Sequence, residues 1–110
     1  MKVGIFEYVS GGGIKEEDIS HNMLCEGYSM LKSATEDFQM AGYEVSTILD
    51  SRLSKLTDYL KADRLEFVST QDNTFDILLE MLKTVDLSLI IAPETRGILS
   101  SFVQIARSNK

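Results

Sequence analysis

Cysteine, proline, histidine and tryptophan are almost missing from this chain: its 110 residues hold one Cys, one Pro, one His and no Trp. A lone thiol, Cys25, excludes an intramolecular disulfide and fits a reducing compartment. Basic residues are scarce as well. Eleven Lys and Arg stand against seventeen Asp and Glu, a net charge of −6. Without a basic stripe to neutralise phosphates, nucleic-acid binding is excluded as an expected role. No apolar run approaches the roughly 20 residues that span a bilayer. The apolar stretch near Met1 is too short for a secretory leader and has no small-residue cleavage site. No membrane partner is expected, and the cytoplasm is the expected compartment. Also missing are a nucleophile–base pair, a Walker-type lysine and paired metal carboxylates, so the chain is underequipped as a complete catalyst. Repeats, linkers and low-complexity segments are absent too. What remains is ordinary for one globular domain, with 44% hydrophobic and 25% charged residues.

The pattern of elements is regular. Val3, Ile5, Phe6, Tyr8 and Val9 form a short buried strand that stops at Gly11, Gly12 and Gly13. An acidic loop, residues 14–19, precedes Ser20, the N-cap of a long helix over 21–41. Its buried stripe is read as Met23, Leu24, Gly27, Met30, Leu31, Ala34, Phe38 and Ala41, with Gly42 ending it. A β-branched strand over 43–49 follows and ends at Asp50. A short helical turn around Leu53, Leu56 and Leu60 comes next, then an edge-side strand over 64–69 that alternates Leu65 and Phe67 with Glu66 and Val68. A helix from Asn73 or Thr74 to about Val85 buries Phe75, Leu78, Leu79, Leu82 and Val85. Leu87 to Ala92 is apolar on both faces, which predicts a central strand. Pro93 stops it, and a last helix from Thr95 or Arg96 to Arg107 buries Ile98, Leu99, Phe102, Val103 and Ala106. This order predicts a three-layer α/β, Rossmann-like domain. Its four-stranded, mainly parallel sheet has order 3-2-1-4, with helices on both faces.

In that topology the loops after strands one and four face each other across a crevice at the carboxyl edge of the sheet. Ser10, Gly11, Gly12 and Gly13 offer bare main chain to a phosphate or carboxylate; the plainer reading is a flexible connector. The glycines match neither a dinucleotide fingerprint nor a P-loop. Glu94, Thr95 and Arg96 stand at the start of the last helix. Glu94 suits an amine or hydroxyl and Arg96 a carboxylate or phosphate, or Glu94 and Thr95 serve only as helix caps. Asp50 could hold ribose hydroxyls but is better read as a turn residue. His21 and Cys25, one helical turn apart, are read as a solvent-side His and a core Cys.

Four blocks fall in a familiar order and spacing: FEYVSGGG (6–13), CEGYSML (25–31), LDSRL (49–53) and IAPETRGIL (91–99). Together they resemble the amino-terminal, pre-ATP-grasp domain of archaeal ATP-grasp ligases, especially the tyramine–L-glutamate ligase group of methanofuran biosynthesis. The resemblance covers essentially residues 1–110 as a single pre-ATP-grasp domain. It implies the N-terminal fragment of a longer enzyme that couples a carboxylate to an amine through an acyl phosphate. ATP and Mg2+ would belong to the full-length enzyme, with no cofactor held by this fragment. The implied partners are the downstream ATP-grasp domain and small-molecule acid and amine substrates, and an isolated fragment could form a homodimer through an exposed apolar face. By position, Ser10–Gly13, Glu94, Thr95 and Arg96 would line the substrate cleft. A stand-alone small-molecule or partner-binding module is one alternative. The amino-terminal half of a two-domain glycosyltransferase is another, although the His expected just after the glycines is missing.

Overall fold

The computed structural model describes residues 1–16, 18–93 and 98–108, apart from the side chains at 102, 105, 106 and 108. Strand β1 (Lys2–Glu7) leads through helix α1 (His21–Met40) to β2 (Glu44–Asp50). A 3₁₀ turn (Ser51–Leu56) and the single-turn α2 (Thr57–Leu60) connect to β3 (Arg64–Val68). Helix α3 (Thr74–Leu82), β4 (Leu87–Ile91) and α4 (Ile98–Ser108) complete the chain. The sheet has the order β3-β2-β1-β4, and every pairing is parallel. The expected architecture is therefore present, with all strands parallel.

Each face of the sheet carries its own core. On one side Val3, Ile5, Val45 and Leu49 pack beneath Leu24, Tyr28 and Leu31 of α1, with Leu53 and Leu60 from the connection after β2. On the other, Phe6, Ile48 and Val68 meet Leu78, Met81 and Leu82 of α3, and Ile98 of α4 joins the margin. The two central strands are buried almost from end to end, as strands covered on both faces must be.

The caps follow the sequence closely. Ser20 Oγ accepts from Met23 N at 3.4 Å, and Asn73 Oδ1 accepts from Asp76 N at 3.3 Å. Several details differ from expectation. The first strand ends at Glu7 rather than Val9, because the Glu7 side chain turns the chain immediately afterwards. The buried face of α1 is Leu24, Gly27, Tyr28, Leu31 and Thr35, whereas Met23 and Met30 lie outside it, 46% and 48% exposed. Tyr28 belongs inside because its hydroxyl finds a partner there, donating to Leu56 O at 2.9 Å. In α3, Thr74 and Met81 are buried and Phe75 is exposed, and the helix stops at Leu82. On β3 it is Val68 that is buried, with Phe67 outside.

The reading of β4 as a central strand, made from its apolar faces alone, is corrected: β4 lies at the edge of the sheet, as the expected order 3-2-1-4 itself requires. Its apolarity on two faces has a different cause. Leu89 packs into the core under α1 and Ile90 into the core under α3. Both faces are roofed by helices, while among the described residues only one edge has a neighbouring strand. In α4, Ile98, Leu99 and Val103 are half-buried where full burial was expected; the start of that helix before Ile98, and the side chains of Phe102 and Ala106, lie outside the described residues.

Asp63 ties the last turn of α1 to the amino ends of β2 and β3. Its Oδ2 accepts from Val45 N at 2.7 Å and from Gln39 Nε2 at 3.2 Å. The Val45 N–H, then the Gln39 amide, hold the carboxyl below the usual Asp value. A depressed folded value makes this contribution complete above the ordinary Asp value of about 3.9, and it is lost as pH falls through the folded value. Urea unfolding should therefore show a stability difference between the natural protein and Asp63→Asn at pH 6 that narrows towards pH 3. A difference independent of pH would exclude the carboxylate as its source.

Candidate functional site

The site begins with a side chain that directs the backbone. Glu7, the last residue of β1, is only 2% exposed. Its Oε1 accepts from both Ser10 N and Ser10 Oγ at 2.7 Å, and its Oε2 accepts from Val9 N at 3.2 Å. The chain folds over this carboxylate in tight turns, with Gly11 N donating to Glu7 O and Gly13 N to Tyr8 O, each at 2.8 Å. Gly12 carries φ of 85°, and a Cβ there would come within 2.6 Å of Val68 Cγ1. Only glycine meets both demands at this position.

The loop is then fastened by three neighbouring elements. Thr74 Oγ1, in the first turn of α3, donates to Gly12 O at 2.7 Å. Asp50 N, at the end of β2, donates to Ser10 O at 2.6 Å. Arg52 forms a fork to Asp50, with Nη2 2.6 Å from Oδ2 and Nε 3.0 Å from Oδ1. The same guanidinium donates to Ile14 O at 2.6 Å and Glu16 O at 2.7 Å, clasping the segment after the glycines. The hydrogen bond to Asp50 is the main reason that the Arg52 pKa is raised. Asp50 also caps the 3₁₀ turn through Arg52 N at 2.8 Å, in keeping with its reading as a turn residue.

Above the loop lies a cleft of 360 Å³ between β1, α3 and α4. Tyr8, Phe75 and Ile98 supply apolar walls, Lys15, Asp72 and Ser101 the polar groups, and Gly13, Asn73 and Thr74 the remaining lining. Lys15 Nζ donates to Ser69 O at 3.0 Å. Burial lowers the Lys15 pKa, opposed by the charges of Asp50 and Asp72. Hydrogen bonds from the Ser69 N–H and hydroxyl lower the Asp72 carboxyl, while burial and then the Glu16 charge raise the Tyr8 phenol. A half-apolar cleft with one cation and one carboxylate at its rim suits a small organic acid or amine with an apolar body. A larger groove, 640 Å³, runs between β3 and α3 towards the amino ends of β2 and β3. The smaller cleft is the better candidate, because it sits at the carboxyl edge where the β1 loop, α3 and α4 converge.

Of the residues singled out in the sequence, Gly13 lines the cleft, while Ser10, Gly11 and Gly12 are buried beneath it. Glu94, Thr95 and Arg96 lie outside the described residues. The sequence reading did not single out Tyr8, Lys15, Asp72, Phe75 and Ile98 for the cleft. One signal was available for Lys15, the only cation in the acidic stretch 14–19. His21 Nε2 and Cys25 Sγ are 3.4 Å apart on α1, with His21 exposed and Cys25 half-buried. Among the described residues no three metal-ligating side chains converge, and no helix is long and apolar enough to cross a membrane.

No curated protein and no solved structure matches this chain significantly. A family model does: the pre ATP-grasp 3 domain matches residues 43–110, from the start of β2 through α4. That span exceeds half of the chain and includes two of the four sequence blocks, 49–53 and 91–99. The chain belongs to the pre ATP-grasp 3 domain family.

Proposed function

We propose that this chain is the substrate-side, N-terminal domain of an ATP-dependent carboxylate–amine ligase, of the kind that joins tyramine to L-glutamate in archaeal methanofuran biosynthesis. The observation that carries the reading is the family match over 43–110. The cleft supports it, since an apolar amine or an amino acid fits between Tyr8, Phe75 and Ile98 with a charged end near Lys15 or Asp72. In this reading Glu94, Thr95 and Arg96, which lie outside the described residues, are the substrate-binding residues that the resemblance implies, and Ser10–Gly13 form the floor of the cleft.

The resemblance implies ATP and Mg2+ for the full-length enzyme, and the glycine loop leaves a nucleotide's phosphates little free main chain. The amides of Ser10, Gly11 and Gly13 are already engaged by Glu7 and Tyr8. The reading therefore assigns the nucleotide to the downstream ATP-grasp domain and to this domain the orientation of an organic substrate. An active site of that kind lies in the cytoplasm.

The product of the complete reading frame, supplied with ATP, Mg2+, L-glutamate and tyramine, should release ADP only when both organic substrates are present. Lys15→Ala should raise the KM of one organic substrate by about tenfold, the loss of one modest polar contact. ADP release indifferent to both substrates, or a Lys15→Ala enzyme with unchanged constants, would overturn the reading. Ligand affinity without any ADP release would favour the stand-alone binding module.

A further inference from the structure

The two edges of the sheet are built differently. β3 carries Arg64 and Glu66, both exposed, the charged guards that keep an edge strand from pairing with strangers. β4 reads Leu-Ser-Leu-Ile-Ile and has no charge at all. Leu87 is 44% exposed and the other four residues are half-buried, although the adjoining β1 is buried along nearly its whole length. Beyond β4 no further strand pairs among the described residues. Such an edge is a ready template for another strand.

The crossovers specify which strand. The connections from β1 to β2 and from β2 to β3 both step towards the β3 edge, and both pack on the α1 face. The connection from β3 to β4 steps the opposite way and packs on the α3 face. A constant hand requires this pairing of direction with face, and parallel crossovers keep one hand almost without exception. Helix α4 packs on the α3 face, through Ile98 and against β4. A strand delivered by α4 must therefore continue in the direction of the last step, outward past β4.

We propose that the open edge of β4 is the seat of a fifth, parallel strand contributed by the same polypeptide after α4, with α4 as its crossover helix. This rests on the reading that the domain opens a longer enzyme. The occupant is an extended, β-branched or aliphatic segment, apolar on both faces because the cores under α1 and α3 both reach β4. The sheet would then run unbroken into the rest of the enzyme and fix the cleft relative to it.

Hydrogen–deuterium exchange tests this on two chains, the product of the complete reading frame and residues 1–110. The β4 amides that β1 leaves unpaired should exchange at least about 100-fold more slowly in the longer product. A reading frame that closes at Lys110, or equal exchange in both chains, overturns the proposal. So does protection in the 110-residue chain that grows with its concentration, which gives the edge to a second copy. Substrate-dependent ADP release from the longer product separates the two readings. ADP release with unprotected β4 overturns the fifth strand alone, and protected β4 without ADP release overturns the ligase reading alone.

Discussion

Gly27→Ala should destabilise the domain by about 2–3 kcal/mol, lowering Tm by roughly 10–20 °C. The direction is the informative part. Glycine inside a helix ordinarily costs about 1 kcal/mol relative to alanine, so this change on an open helix face would stabilise. Here α1 lies directly on the end of β1. A Cβ at position 27 would fall within van der Waals contact of Glu7 Oε1 and 3.0 Å from Val9 Cβ. Glu7 cannot withdraw, because that same oxygen accepts from Ser10 N and Ser10 Oγ. Either the helix lifts from the sheet or the carboxylate loses its partners while still buried, and each costs more than the helix propensity returns. Thermal unfolding of Gly27→Ala, Glu7→Ala and the double variant measures the contact. The double variant should be less damaged than the sum of the singles by about 1 kcal/mol or more. A Gly27→Ala protein more stable than the natural one would show that the helix has room to move.

Arg52→Ala should cost about 3 kcal/mol, a large share of a typical domain's stability. The loss comes chiefly from what is left behind. Asp50 is 2% exposed, and without the guanidinium its buried charge keeps only the Arg52 N–H among the hydrogen bonds found for its carboxylate. Ile14 O and Glu16 O lose their donors in the same step. Arg52→Lys should recover only a minor part, since an ammonium cannot bridge a carboxylate and two carbonyls in one plane. Urea midpoints report the stability, and the rate of tryptic cleavage after Lys15 reports the clasp. Cleavage should accelerate at least about tenfold in Arg52→Ala, as a local opening made easier by 1.4 kcal/mol or more. Unchanged cleavage with reduced stability would restrict Arg52 to pairing with Asp50.

The architecture was legible because it is written in features that single residues state locally. Ser20 and Asn73 cap, β-branched runs extend, and the spacing of Leu24, Leu31 and Phe38 sets α1 in place. Strand order followed from the succession of elements and the hand of crossovers. The misreadings share one physical origin: sequence periodicity reports apolarity, not what stands opposite. Met23 and Met30 have the hydropathy of core residues, yet they fall just outside the strip of α1 that faces the sheet. β4 resembles a central strand because helices roof it on both sides. At the site, the glycines advertised a turn, but nothing local showed that Glu7 would lie underneath and engage their neighbourhood's amides. That depends on Gly27, twenty residues further along the chain.

The fastenings of the glycine loop have a consequence for how the molecule is made. Beyond the local Glu7 carboxylate, its fastenings reach far downstream, 36 and 38 residues to the Arg52 guanidinium, 54 from Lys15 to Ser69 O and 62 to the Thr74 hydroxyl. During synthesis, at about 5–20 residues per second, the segment waits several seconds before its last partner leaves the ribosome. Contacts of such separation are assembled late, because loop closure must come first. By the same measure the floor of the cleft sets after β1 has found β2, and before β4, whose pairing with β1 joins Val3 to Leu87.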